Sequence, residues 1–419
     1  MTGRTALSSN GRIGGPYPTK APLLSVSSSP IQKRDDRMRP PTNKEKSMMK
    51  RKWQSVTFLI LILSSVSVAQ AQNVKITPVG ARTGDFCGTD RAMVFEDPTG
   101  VRILYDPGRT MTGGNDPRLR DIHVILISHA HVDHLGDTRM MQDPNSPNAS
   151  CGFGVAGPAG ISSPNTVTAE IAAAKNSAVI AGGPLATFLG VKIAAQLGSL
   201  NTAACPGAGL GNEMTVPRIA PCTAGVGLGA KRTVRHVSAN QGVQIAAVSA
   251  DHPNDLSTTF LTDPERTNLA SNGISAYIGL ANGFVVTFTN GLKVYLSGDT
   301  GLTSEMSTVV NGFYGANLAV LNVGDIFTTG AEEGAFAVLN MIRPAAVIPS
   351  HVNEAATTGG VLNPTSRTAL FVDLVSAGIV PFGDLRDRFL PPRKIPVYLP
   401  LSGITMEFDG DAQCVSGCG

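Results

Sequence analysis

"ILISHAHVDHLGD", residues 125–137, places three histidines and two aspartates directly after an apolar run. The chain has only seven histidines in 419 residues, so three of them within positions 129–134 is a strong concentration. Neighbouring imidazoles repel once protonated unless a shared partner takes their lone pairs, and a metal ion is such a partner. His129 and His131 stand two residues apart at the end of an expected strand and therefore share a face. Asp133 and His134 follow as the chain turns into an expected short helix. One segment can thus seed two adjacent cation sites, which surface histidines without a metal do not explain.

Two cations need more than these four donors, and strand ends supply them. His252 follows "GVQIAAVSA", Asp299 stands in "YLSGDTG", and His351 closes "VIPSH". Each is a polar residue emerging from an apolar run, where a core histidine would not sit. His123 lies inside the expected strand "DIHVILIS", and His236 lies in the polar stretch "RTVRHVSANQG". Both read as structural or exposed, with His236 the rival to His252. Asp106 in "LYDPG" and Asp325 in "NVGD" each fit either a residue that orients a ligand or a plain turn aspartate.

Composition narrows the partners. Of 419 residues, 42% are hydrophobic and 5% aromatic, enough for a large core but not for an aromatic base-stacking platform. Residues 1–53 hold 12 Lys/Arg against 3 Asp/Glu, which leaves 22 against 28 in the rest. The acidic body gives no footprint for phosphate backbones, so no nucleic-acid partner is expected and a small-molecule substrate is. The glycine-rich "GAGLGNEM" and "GVGLGAK" follow no convincing strand of a βαβ unit and read as loops.

The basic head precedes an apolar run from Val56 to about Val68 and small residues at Ala69 and Ala71. That is the layout of a cleavable secretory signal over residues 48–71, with a periplasmic or secreted mature protein and no stable membrane span after cleavage. An uncleaved anchor is the alternative, disfavoured by the shortness of the run. Residues 1–47 read as a disordered or mis-assigned extension ahead of a start at Met48 or Met49, and residues 72–419 as the functional domain. Export allows the six cysteines to pair. Cys205 and Cys222 bracket a Gly/Pro/Ala-rich stretch, Cys414 and Cys418 suit a local staple, and Cys87 and Cys151 are either a third bridge or two buried thiols.

"RAMVFEDPTGVRILYDPG" reads as a hairpin around Pro98–Gly100, and "GFVVTFTNGLKVYLSGD" as a second one around Asn290 and Gly291. Helical spacing marks "TVTAEIAAAKNS", "PLATFLGVKIAAQLG", "AEEGAFAVLNMI" and "TSRTALFVDLVSAG", with short strands between and "GITMEFDG" as the last strand. The pattern predicts packed sheets flanked by helices, an α+β class.

The order of "HAHVDH", "DH", "SGDTG" and "PSH" resembles the metallo-β-lactamase superfamily, and within it the ascorbate-6-phosphate lactonase-like metal-dependent hydrolases. The likeness covers roughly residues 75–355. It implies a four-layer αββα sandwich of two mixed sheets flanked by helices, and the chain departs from the relatives in a longer, Gly/Ala/Pro-rich insertion at about 143–239. It implies that His129, His131 and His252 hold one divalent metal ion and that Asp133, His134 and His351 hold a second. Asp299 would bridge the two ions, and Asp133 and Asp299 would be the catalytic carboxylates. The implied activity is hydrolysis of a small ester, lactone or phosphodiester by a metal-bridging hydroxide. Imidazole-rich ligation ranks Zn first, with Mn or Fe as alternatives. The oxygen-reducing relatives carry Glu where this chain has His131. Thr329 departs from the methionine usual in the relatives, which leaves the substrate open. A non-catalytic metal-binding or scaffold protein of the same fold is the alternative function.

Overall fold

The computed structural model describes residues 73–151, 160–199, 204–205, 212–379 and 393–418. The expected signal peptide and the extension before it lie outside these residues. Ala69–Gly419 form one compact unit.

Strand periodicity builds the architecture. In Arg102–Tyr105, Ile103 and Tyr105 enter one core while Leu104 enters another, and Val124 and Leu126 alternate with Ile125 in the same way. Each such strand is apolar on both sides, so each sheet must be covered on both faces. An eight-stranded mixed sheet runs, in spatial order, Cys414–Ser416, Met406–Phe408, Val74–Pro78, Met93–Glu96, Arg102–Tyr105, Val124–Leu126, Ala178–Ala181, Cys222–Gly225. A seven-stranded mixed sheet runs Ala346–Ser350, Leu318–Asn322, Lys293–Leu296, Asn282–Thr287, Val243–Ser249, Lys231–His236, Glu213–Val216.

Three cores separate four layers. Between the sheets, Ile76, Phe95 and Ile103 share a core with Ile245, Phe284 and Val294. The helices Val167–Lys175 and Gly183–Gln196 cover the outer face of the first sheet, where Ile171 and Leu189 meet Leu104, Ile125 and Val179. Ala331–Ile342 and Arg367–Ala377 cover the second, where Val338 and Phe371 meet Tyr295 and Leu321. The αββα sandwich is therefore formed as expected.

Both expected hairpins are present: Met93–Glu96 pairs antiparallel with Arg102–Tyr105, and Asn282–Thr287 with Lys293–Leu296. "GITMEFDG" is not the last strand, because Cys414–Ser416 pairs antiparallel with it as an edge. Three residues are too short for a periodic signal. The described part of 143–239 supplies strands to both sheets and two covering helices, and "RTVRHV" is a strand rather than a polar connection. Disulfides join Cys87–Cys151, Cys205–Cys222 and Cys414–Cys418, so Cys87 and Cys151 form the third bridge. Among the described residues no helix is long and apolar enough to cross a membrane.

Candidate metal centre

Strand Val124–Leu126 ends in Ile127 and Ser128, and the chain then passes His129, Ala130 and His131 before the short helix Val132–Leu135. Asn254 accepts the Ala130 N–H on its side-chain oxygen at 2.8 Å, fixing the backbone between the two histidines. Asp299 comes from the end of Lys293–Leu296 and His351 from the end of Ala346–Ser350, two parallel-sheet neighbours separated by Leu318–Asn322. The turn before Asp299 demands glycine. Gly298 has φ +61°, and a Cβ there would stand 2.7 Å from the Asn282 carbonyl oxygen. Gly324 lets His351 approach closely, since a Cβ would meet its carbonyl oxygen at 2.6 Å and its Nδ1 at 2.8 Å.

All seven expected donors converge. His129, His131 and His252 form one group with donor atoms within 4.8 Å of one another, and Asp133, His134 and His351 form another. Asp299 Oδ2 lies 3.8 Å from His129 Nε2, 3.7 Å from His252 Nε2 and 3.0 Å from His351 Nε2, while Oδ1 lies 3.4 Å from His134 Nε2. It therefore touches both groups. His252 Nε2 faces His131 Nδ1 at 3.1 Å. Donors about 2.0–2.1 Å from one tetrahedral zinc sit roughly 3.3 Å from each other, so these spacings suit shared cations.

Buried atoms test the fit further. His129 Nε2, His134 Nε2 and Asp299 Oδ1 are buried with no hydrogen-bond partner among the described residues, an arrangement that a purely structural cluster would avoid. A cavity of about 10 Å³, the room of one water, lies among Arg91, Asp106, His134, Asp299 and His351. The donor set thus fits divalent cations.

Electrostatics give the same answer. Burial, followed by the charge of the facing imidazole of His134, holds His129 well below the usual histidine range. Burial and then His252 lower His131, and burial lowers His252. These three rings are neutral at neutral pH and offer lone pairs. His134 behaves oppositely: burial opposes its charge, but Asp299, Asp133 and Asp106 outweigh burial and raise it well above the usual range. Asp299 is held well below the carboxylate range, since His351 and His134 overcome the effect of burial. Asp133 is lowered too, against burial, by His134, His351 and Arg91. A pocket this rich in carboxylates demands positive charge, from a proton or from a metal.

Supporting groups set the tautomers. Asp106 accepts from His134 Nδ1 at 2.8 Å, from Ser128 Oγ at 2.6 Å and from the Ser128 N–H at 2.9 Å. Its two sequence readings resolve in favour of orienting a ligand, leaving Nε2 of His134 free for a cation. His252 Nδ1 donates to the Phe327 carbonyl at 3.0 Å, which likewise frees Nε2. Asp325 is a turn residue: its Oδ1 accepts the Ile326 N–H, and its side chain is 61% exposed. Thr329 is buried and bonded to Asn322, so the departure at this position is a polar network beside the site rather than a ligand. Sequence reasoning missed Arg91, whose buried guanidinium holds Asp133 Oδ2 at 3.2 Å and Asn353 Oδ1 at 2.7 Å. It also missed Asn254, which only its place two residues after His252 could have flagged. His236 stays outside the cluster, its ring 5.8 Å from that of His123.

Residues 89–351, which contain all seven donors, match the family described as the beta-lactamase superfamily domain. A UPF0173 metal-dependent hydrolase of Polynucleobacter asymbioticus is 25% identical over 324 residues, covering 75% of this chain and 90% of that protein. Its counterpart in Cupriavidus metallidurans is 28% identical over 291 residues, covering 68% and 77%. Among solved structures, Igni18, a metallo hydrolase of Ignicoccus hospitalis, is 21% identical with a TM-score of 0.45, covering 80% of this chain and 100% of that one.

Proposed function

The chain belongs to the beta-lactamase superfamily through residues 89–351, and on that premise we propose that it is an exported hydrolase holding two divalent cations and cleaving a small ester, lactone or phosphodiester. The observation that carries the reading is Asp299, whose two oxygens face both donor groups within 3.0–3.8 Å. His129, His131 and His252 would hold one ion, Asp133, His134 and His351 the other, with zinc favoured by the imidazole-rich set. When bound, such a pair supplies an acidified water as nucleophile and an electrophile for the scissile carbonyl or phosphoryl oxygen.

The chain's own residues do the rest. Asp299 and Asp133 would set two negative charges against the cations held here, and a centre left net positive would stabilise charge developing on a substrate. Asp106 and the Phe327 carbonyl lock His134 and His252 so that Nε2 of each points inward. Arg91 pins Asp133 and prevents it from turning away. Beside His252, Ile326 and Phe327 stand 87% and 73% exposed. Such exposed apolar surface would favour a substrate with an apolar group next to the scissile bond. Export is supported by the pairing of all six cysteines, which suits an oxidising compartment.

Metal analysis of the purified chain, combined with a panel of lactones, esters, phosphodiesters and β-lactams, tests the reading. Two equivalents of metal and chelator-sensitive turnover of one class are expected. A chain that binds metal and turns over none of them is a binding protein, and the reading falls.

A further inference from the structure

A second cleft lies at the far end of the same strand. His123 precedes Val124 and His129 follows Leu126, so the two ends are roughly 20 Å apart along the extended chain. Around His123 opens a cleft of about 650 Å³, within the size range of small-molecule sites. Its walls come from both sheets and from the C-terminal end of the helix Val167–Lys175.

Charge distinguishes this cleft from the body around it. Arg102, Arg120, Lys175 and Arg218 line it against only Glu96 and Asp121, although the chain beyond residue 53 carries more acids than bases. Arg102 is committed to Glu96 and to the Asp121 and Leu119 carbonyls. Arg120 and Lys175 have no ion pair among the described residues, and Arg218 donates only to the Ala220 carbonyl. The rings of His123 and His236 meet edge to face at 5.8 Å in the same cleft. His123 Nδ1 accepts the Arg102 N–H, and His236 Nδ1 pairs with Ser238 Oγ. Each ring therefore keeps Nε2 for another partner. Burial, then the neighbouring His236, holds the His123 ring below the usual range against the pull of Asp121.

We propose that this cleft is a binding site for a small multiply charged oxyanion, such as a phosphate monoester, held by Arg120, Lys175 and Arg218 with His123 and His236 as added donors. Guanidinium forks suit phosphate oxygens, and the cleft has room for an organic group beyond the phosphate. The site is independent of the metal centre and of the hydrolysis proposed there. An anion taking the Nε2–H of His123 would oppose the burial and the neighbouring ring that hold this imidazole below its usual range. Glu96 is neutralised by Arg102, so Asp121 is the one carboxylate competing with the anion.

Histidine-selective ¹³C labelling of the metal-loaded chain makes the test local, because the seven imidazoles report separately. Inorganic phosphate is titrated in, with citrate as a carboxylate arm. The expected result is a saturable shift of the His123 and His236 ring signals, with the His123 pKa rising by about one unit, and loss of that response in an Arg120→Ser/Lys175→Ser double variant. A stronger response to citrate than to phosphate overturns the phosphate assignment. Silent cleft imidazoles, a response confined to the five cluster histidines, or an undiminished response in the double variant overturns the site.

Discussion

Replacing Asp106 by Asn changes one atom and tests how the metal centre is oriented. Asp106 is 1% exposed and faces three donors: the Ser128 N–H on Oδ1, and Ser128 Oγ and His134 Nδ1 on Oδ2. An amide offers one acceptor where the carboxylate offers two. If the amide nitrogen faces His134, two N–H groups collide unless His134 moves its proton to Nε2, the atom that a cation needs. If the amide is flipped, its nitrogen meets the Ser128 N–H instead. Either way one buried donor loses its acceptor, at about 1–3 kcal/mol. Loss of a carboxylate partner behind a ligating histidine weakens metal binding about 10–100-fold, or about 1.4–2.7 kcal/mol. Zinc titration against a competing chromophoric chelator should show one equivalent near wild-type affinity and the other weakened by that factor. Two equivalents at wild-type affinity would refute the claim that Asp106 sets the His134 tautomer.

Three further outcomes are expected. His252→Ala should lose metal while His236→Ala retains the full complement, as read by elemental analysis; the reverse would move the third imidazole ligand. Burial raises Asp90 to about 6 against the hydrogen bonds from Cys87 and Ala81. Between pH 4 and 6 the folded chain therefore keeps a proton that the unfolded chain releases, so stability is lost as pH rises, by about 3 kcal/mol in all. Urea unfolding of wild type and Asp90→Asn at pH 4 and 7 should show that difference in slope, and parallel behaviour would refute it. Cys87→Ser/Cys151→Ser opens a loop with a sequence separation of 64; it should lower unfolding free energy by about 4 kcal/mol, and an unchanged urea midpoint would show that the bridge adds nothing.

What the sequence disclosed and what it hid have separate physical causes. The spacing of His129, His131, Asp133 and His134 is local, so strand geometry followed by one turn predicts where their side chains point. His252, Asp299 and His351 were legible because each breaks an apolar run at a strand end. The groups that orient them were not. Arg91 stands in the polar context "TDRAM", and its partners Asp133 and Asn353 are 42 and 262 residues away. Asp106 could be named but not decided, because an aspartate ending a strand has the same local pattern whether or not a histidine lies behind it. Lys231–His236 escaped notice because it lies near the sheet edge with only Val234 fully buried, so its alternation is faint. The meeting of His123 and His236 joins two sheets, and nothing near either residue announces it.

The central claim is that Asp299 joins two cation sites, and the metal stoichiometry of Asp299→Asn tests it most directly. The substitution keeps size and one oxygen but removes the charge that offsets repulsion between two cations. Wild type should carry two equivalents of metal. The variant should carry fewer than two and lose hydrolysis by several orders of magnitude, with its circular dichroism unchanged. If Asp299→Asn holds two equivalents and turns over the best substrate at the wild-type rate, Asp299 is not a bridge and the two-cation account is wrong.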